Sequence, residues 1–112
     1  MRREERLYLQ HIRDAAARIE KYLAGVDQRC FMETPLLQDG VIRQLEIIGE
    51  AVKRISSDLR SRYPDIPWQD MAGMRDKLIH DYLGVDLMTV WLTATEDLPT
   101  LAARINDILV DL

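Results

Sequence analysis

Apolar residues recur along nearly the whole chain at alternating spacings of three and four, which is the period of an amphipathic α-helix. No stretch alternates apolar and polar residues with the period of two that a half-buried strand requires. We therefore predict an all-α, antiparallel bundle of four to five helices. The clearest stretch has apolar residues at Val41, Leu45, Ile48, Val52, Ile55 and Leu59.

Turn residues divide this pattern into helices. The first helix is expected to end at Gly25, because glycine favours a helix C-terminus. Residues 27–35 are predicted to be a connection, with Phe31 and Met32 packed against the core. An unbroken second helix is predicted, with its apolar pattern over 41–59 and its end before Pro64.

The second half of the chain is predicted to hold two more helices. A short turn between two prolines, anchored by Trp68, leads to a helix over about 69–83. Gly84 suits the position after that helix, and Asp86 suits the N-cap of the last one. Pro99 lies inside the last apolar pattern without changing its phase, so we expect one bent helix.

Length and composition limit the class of protein. The chain has 112 residues, 47% of them hydrophobic, which is enough for one domain over 1–112 with a real core. No apolar run is long enough to span a membrane, and no signal peptide is evident, so a cytoplasmic location is expected. Cys30 is the only cysteine, which leaves no internal disulfide and no cysteine cluster for a metal.

The second helix carries more apolar residues than one core stripe needs. Ile42 and Ile47 lie beside the main stripe, on flanking or outward positions. Such a surplus often marks a second contact surface, although it can also belong to a wide core face. We expect the chain to form a homodimer through this surface.

Near the end of the predicted third helix, Arg75, His80 and Tyr82 form the pattern R-x(4)-H-x-Y. Histidine can carry a proton near neutral pH, and the planar arginine guanidinium matches phosphate oxygens. They suit RNA cleavage in which the ribose 2′-OH attacks the adjacent phosphorus, His80 moves the proton and Arg75 stabilises the phosphoryl charge. Because the nucleophile belongs to the RNA, this chemistry needs no metal and no cofactor, and DNA would not be cut.

One straight helix does not bring these three side chains together. Arg75 and Tyr82 are seven residues apart and share a face, whereas His80 lies about 140° around the axis from Arg75. Either the helix loosens near its end, or two copies of the chain share one site. A dimer would supply two histidines, one as base and one as acid, which favours a composite site. Ordinary roles also remain open, such as an ion pair for Arg75 and a helix-dipole contact for His80.

Three stretches together resemble the HepT-like branch of the HEPN superfamily. They are VIRQLEIIGEA at 41–51, PDIPW at 64–68 and MRDKLIHDY at 74–82. The likeness covers most of the chain from about residue 35 onward. The short motif is weakly specific, whereas the three stretches in this order are fairly specific.

This resemblance implies a metal-independent endoribonuclease toxin that works as a dimer, with the arginine–histidine motif lining a cleft between protomers. Arg75 and His80 would then be the catalytic residues, and Asp76 would be the polar residue that supports them. The resemblance also implies a type VII toxin–antitoxin pair, in which an MntA-like nucleotidyltransferase antitoxin transfers AMP from ATP onto Tyr82. The adenylate would block the RNA substrate by its bulk and by its charge.

Two carboxylates on the second helix are further candidates. Glu46 and Glu50 lie four residues apart on its outer side, where they could cross a dimer interface, orient Arg75 or bind the partner. An ordinary solvated helix face is an equally good interpretation.

Charge bears on how the chain could hold RNA. A net charge of −4 argues against non-specific binding of nucleic acid, so any RNA contact must use a local basic patch. The candidate patch lies around the end of the second helix and after the following turn, at Lys53, Arg54, Arg60, Arg62, Arg75 and Lys77. Ordinary solvated surface charge is the favoured interpretation of these residues. The alternative function is a non-catalytic helical partner, or a nucleotide-binding module, of a nucleotidyltransferase.

Overall fold

A computed structural model describes residues 3–80 and 86–111, without the side chains at 75 and 77–80. All regular structure in the described residues is helical, which confirms the all-α prediction. The helices are α1 (Arg3–Leu23), α2 (Gln28–Glu33), α3 (Pro35–Lys53), α4 (Ser57–Arg62), α5 (Trp68–His80), α6 (Leu87–Leu92), a π-helical segment (Thr93–Asp97) and α7 (Leu98–Val110).

The centre of the fold is the packing of α1 against α3. The apolar stripes predicted from their periodicity are buried in this interface, including Leu9 and Ile12 from α1 and Leu45 and Ile48 from α3. Helix α1 ends where expected, because Gly25 adopts a φ of 73° that other residues rarely tolerate. Helix α5 then packs on α3, and α7 packs on α1.

The predicted connection over 27–35 is wrong in one respect, since it contains the short helix α2. Asp27 caps this helix by accepting a 2.8 Å hydrogen bond from the backbone N–H of Cys30. Phe31 is fully buried, as predicted, and its ring lies 5.3 Å from that of Trp91. The burial of one large aromatic side chain and the capping aspartate explain why six residues are helical here.

The second predicted helix is also wrong in its continuity, because it breaks between α3 and α4. Ser56 caps α4, its hydroxyl accepting a 3.1 Å bond from the Leu59 N–H. The Ser56 N–H donates at 2.9 Å to the buried carboxylate of Glu5 on α1. Ile55 and Leu59 stay buried on either side of the break, so the apolar pattern continues although the helix does not.

The chain continues as helix from Leu87 to Val110, as predicted, through a π-helical segment. Asp86 caps its start and accepts bonds from the N–H groups of Met88 and Thr89. Pro99 lies in the first turn of α7, directly after the π segment. Proline has no backbone N–H to donate, and the π segment changes the backbone hydrogen bonding just before Pro99. The helix therefore continues past the proline. No described helix is long and apolar enough to cross a membrane.

Candidate active site

Helix α5 carries the predicted motif. The indole N–H of Trp68, its first residue, donates a 3.0 Å hydrogen bond to the carbonyl of Tyr63, which confirms the predicted anchor of the preceding turn. Asp70 in the first turn lies at the positive end of the helix dipole, where a carboxylate is favoured. These contacts determine where α5 begins and how it leaves the turn.

The structure places Arg75 and His80 in the backbone of α5, in its second half. Their side chains, and the whole of Tyr82, lie outside the described residues. The joint catalytic role of Arg75, His80 and Tyr82 therefore stays a prediction. The predicted C-terminal position of Gly84 lies outside the described residues as well.

Asp76 is the one motif residue with a described side chain. Its carboxylate forms an ion pair with the ammonium of Lys53, the last residue of α3. Both side chains are partly exposed, so this pair contributes little stability by itself. It does join α5 to the end of α3. The supporting role expected for Asp76 stays a prediction.

Glu46 and Glu50 lie on the edge of a groove between α1 and α3. Both are half-buried and form local ion pairs, Glu46 with Arg43 and Glu50 with Arg54 directly after α3, at 3.5 Å in each case. The groove has a volume of about 410 Å³, and Tyr8 and His11 from α1 line its other side. The three roles considered for these glutamates all stay predictions.

Sequence reasoning assigned no role to the aromatic side of this groove. Tyr8 and His11 contact each other edge to face, with ring centroids 6.2 Å apart. They lie one helix turn apart on α1, and this spacing was the local signal that the two rings share one face of the helix. What the sequence did not reveal is that α1 faces the Glu46 side of α3, which depends on how the helices pair.

The predicted basic patch is largely neutralised by neighbouring groups. Lys53 pairs with Asp76, Arg54 with Glu50, and Arg62 with Asp58. Arg60 is partly buried, and its guanidinium donates a 2.6 Å hydrogen bond to the carbonyl of Val52. It therefore adds a side-chain donor to a carbonyl at the end of α3 that also accepts the backbone N–H of Ile55.

A second contact missed from the sequence joins α7 to the turn before α5. The guanidinium of Arg104 donates two hydrogen bonds to Asp65, at 2.6 and 3.2 Å, and a third to Asp107 at 3.1 Å. The side-chain bonds from Arg104 lower the pKa of the Asp65 carboxyl. Asp65 in turn raises the pKa of Arg104 further, so this pair stays charged across the physiological range. The two residues are too far apart in sequence for a local pattern to reveal the pair.

Comparison with known proteins identifies the family. Residues 12–108 match the model of the family described as ribonuclease HepT-like. A Thermococcus cleftensis protein named probable ribonuclease HepT is 44% identical over 104 residues, 93% of this chain and 94% of its own length. In Methanocaldococcus jannaschii, a protein provisionally named an RNase is 41% identical over 111 residues, covering 99% of this chain and 96% of that protein.

A further relative is longer than this chain. It is a Methanocaldococcus jannaschii protein named as a gamma-glutamylcyclotransferase and, provisionally, an RNase. It is 41% identical over all 112 residues, and the chain spans 50% of its length. No solved structure matches the chain.

Proposed function

Because the chain belongs to the ribonuclease HepT-like family, we propose that it is a metal-independent endoribonuclease toxin of a toxin–antitoxin pair. The observation that carries this proposal is the family match itself, which covers the whole of α5 and therefore the Arg75–His80 motif. Both residues have the side-chain chemistry that RNA cleavage without a metal requires.

In the proposed reaction, His80 takes the proton from a ribose 2′-OH while that oxygen attacks the adjacent phosphorus. The new bond joins the 2′-oxygen to phosphorus, and the bond from phosphorus to the 5′-oxygen breaks. A second proton donor, proposed to be His80 of the partner subunit, protonates the leaving 5′-oxygen. Arg75 stabilises the charge on the non-bridging oxygens. The products are a 2′,3′-cyclic phosphate and a 5′-hydroxyl.

We further propose that a nucleotidyltransferase antitoxin silences the enzyme by transferring AMP from ATP onto Tyr82. The phenolic oxygen attacks the α-phosphorus of ATP, and pyrophosphate leaves. Tyr82 is two residues from His80 in the sequence, so the attached group would lie beside the motif. Its phosphate carries a negative charge, which would occupy Arg75 and repel the RNA backbone.

The test of the proposed activity is cleavage of RNA by the purified, unmodified protein in the presence of EDTA. We expect fragments with 2′,3′-cyclic phosphate and 5′-hydroxyl ends from a defined RNA. The same molecule with a single 2′-deoxyribose at the cut position should resist cleavage there, because its nucleophile is missing. Activity that appears only when Mg²⁺ is added, or no cleavage at all, would contradict the proposal.

Silencing is tested by Tyr82→Phe, which removes the acceptor oxygen and keeps the ring. Cells that produce this variant together with the nucleotidyltransferase should remain growth-arrested, whereas the wild-type toxin should be neutralised. Intact-mass spectrometry should show the mass of AMP on the wild type and none on Tyr82→Phe. Neutralisation of both proteins to the same extent would show that the antitoxin acts by another route.

A further inference from the structure

A second groove lies between the first half of α5 and the last long helix. Its volume is about 500 Å³, within the range typical of binding sites. Among the described residues, α5 and α7 make almost no direct contact, since each packs on a different helix of the central pair. The space left between them has an apolar floor and walls formed by Ile66, Met71, Met74 and Leu101.

The rim of this groove is acidic. Asp65, Asp70, Glu96 and Asp97 line it, and among the side chains that the structure describes the one cation that lines it is Arg104. That guanidinium is already bound by two carboxylates, Asp65 and Asp107. In the part of the chain that the structure describes, Asp70, Glu96 and Asp97 are exposed and have no ion pair of their own. The rim therefore presents uncompensated negative charge around an apolar floor.

A buried polar group also faces this groove. Thr93 lines it with a side chain that is only 6% exposed. A helical threonine commonly donates its hydroxyl to the carbonyl four residues earlier, as Thr95 does to Trp91 at 2.8 Å. Thr93 begins the π-helical segment. π-Helical segments recur at functional sites, and this one places a polar side chain on the wall of the groove.

From these observations we propose that the groove is the docking site for an amphipathic helical segment of another protein, with apolar side chains flanked by lysine or arginine. A slot bounded by two helices admits a third helix, whose apolar face would cover the methionines and Leu101. Its cations would pair with Asp70, Glu96 and Asp97. Met74 on the groove wall directly precedes Arg75, so the docked segment lies beside the motif.

Charge excludes the two other plausible occupants. RNA is repelled, because its phosphates would meet four carboxylates and one neutralised arginine among the described side chains of the groove. A second copy of the chain brings the same acidic rim and a net charge of −4, so like charges oppose its approach. A basic segment is the partner whose charge complements this surface. The inference does not depend on the proposed ribonuclease activity.

The experiment uses the full, ¹⁵N-labelled chain and a synthetic amphipathic helical peptide of leucine and lysine. We expect amide shift changes to concentrate around residues 70–74 and 93–101, with a Kd that rises with salt. Two control peptides separate the contributions: glutamate in place of lysine should abolish binding, and serine in place of leucine should weaken it strongly. Binding of the glutamate peptide as tightly as the lysine peptide would overturn the proposal.

Charge-reversal variants locate the site. Glu96→Lys combined with Asp97→Lys should raise the peptide Kd by roughly tenfold or more, because attractive contacts become repulsive. Glu20→Lys combined with Asp39→Lys changes the net charge equally at exposed positions elsewhere and should leave the Kd nearly unchanged. Thr100→Trp, which fills the groove without changing charge, should also weaken binding.

Two outcomes would overturn the docking proposal even if the peptide binds. One is an equal effect of both charge reversals, which would show general attraction to an acidic protein. The other is a change in the oligomeric mass of the protein with Glu96→Lys and Asp97→Lys, which would make the groove an interface between copies. RNA cleavage by the wild type is measured in parallel, so failure of the ribonuclease proposal is recognised separately.

Discussion

Replacing His80 with alanine is expected to lower the rate of RNA cleavage by about 10²- to 10⁴-fold, the usual contribution of a general acid–base group. The imidazole is the only side chain of the motif suited to exchange a proton near neutral pH. The rate is measured with a defined RNA in EDTA, after circular dichroism and light scattering establish that the variant keeps the fold and mass of the wild type. Growth arrest on induction should be lost with the same substitution.

The chain offers a matched control, since it contains only two histidines. His11 is exposed on α1, and His11→Ala should leave the cleavage rate unchanged within about twofold, as expected of a surface substitution. Loss of activity with His11→Ala and not with His80→Ala would move the proton carrier to the α1–α3 groove. Equal growth arrest by wild type and His80→Ala would remove His80 from the mechanism and favour the non-catalytic partner.

Phe31→Ala is expected to lower the free energy of unfolding by about 3–5 kcal/mol, the cost of truncating a buried aromatic side chain. The ring is fully buried and contacts that of Trp91, and it is the one buried side chain of α2. A loss of this size removes a large share of the total stability of a small domain. Urea denaturation at several protein concentrations measures the change and separates it from any effect on association.

Leu36→Ala serves as the control for Phe31→Ala. Leu36 lies in the first turn of α3, near Phe31 in the sequence, and its side chain is 82% exposed. Truncating it should change the free energy of unfolding by no more than about 0.5 kcal/mol. If both substitutions had the same small effect, α2 would not contribute to the cooperative core, and the explanation given for its burial would be wrong.

Predictions about helix type and helix ends succeeded where the information is local. The apolar period, Gly25 after α1, Trp68 at the start of α5 and the Asp86 cap each depend on residues within about five positions of one another. Neighbours at that distance meet in any helix, whatever its tertiary surroundings. The motif at Arg75 and His80 could be singled out for the same reason, together with the resemblance to a known family.

The break between α3 and α4 shows where periodicity misleads. The pattern from Val41 to Leu59 runs without a fault, yet the helix ends at Lys53. Burial of Ile55 and Leu59 preserves the pattern, while Ser56 caps a new helix and Glu5 of α1 receives its N–H. Serine before an acidic turn was a usable local signal for this cap. The hydrogen bond to Glu5 had no such local signal, because Glu5 comes from a distant part of the chain.

The sequence alone thus determined the all-α class, the end of α1, the starts of α5 and α6, and the position of the motif on α5. Only the tertiary structure decided which helices touch. It paired Lys53 with Asp76 and Asp65 with Arg104, and it left the groove between α5 and α7 open. The physical reason is that helical period and capping arise between neighbours in sequence. The two ion pairs and the groove depend instead on which helices pack against each other.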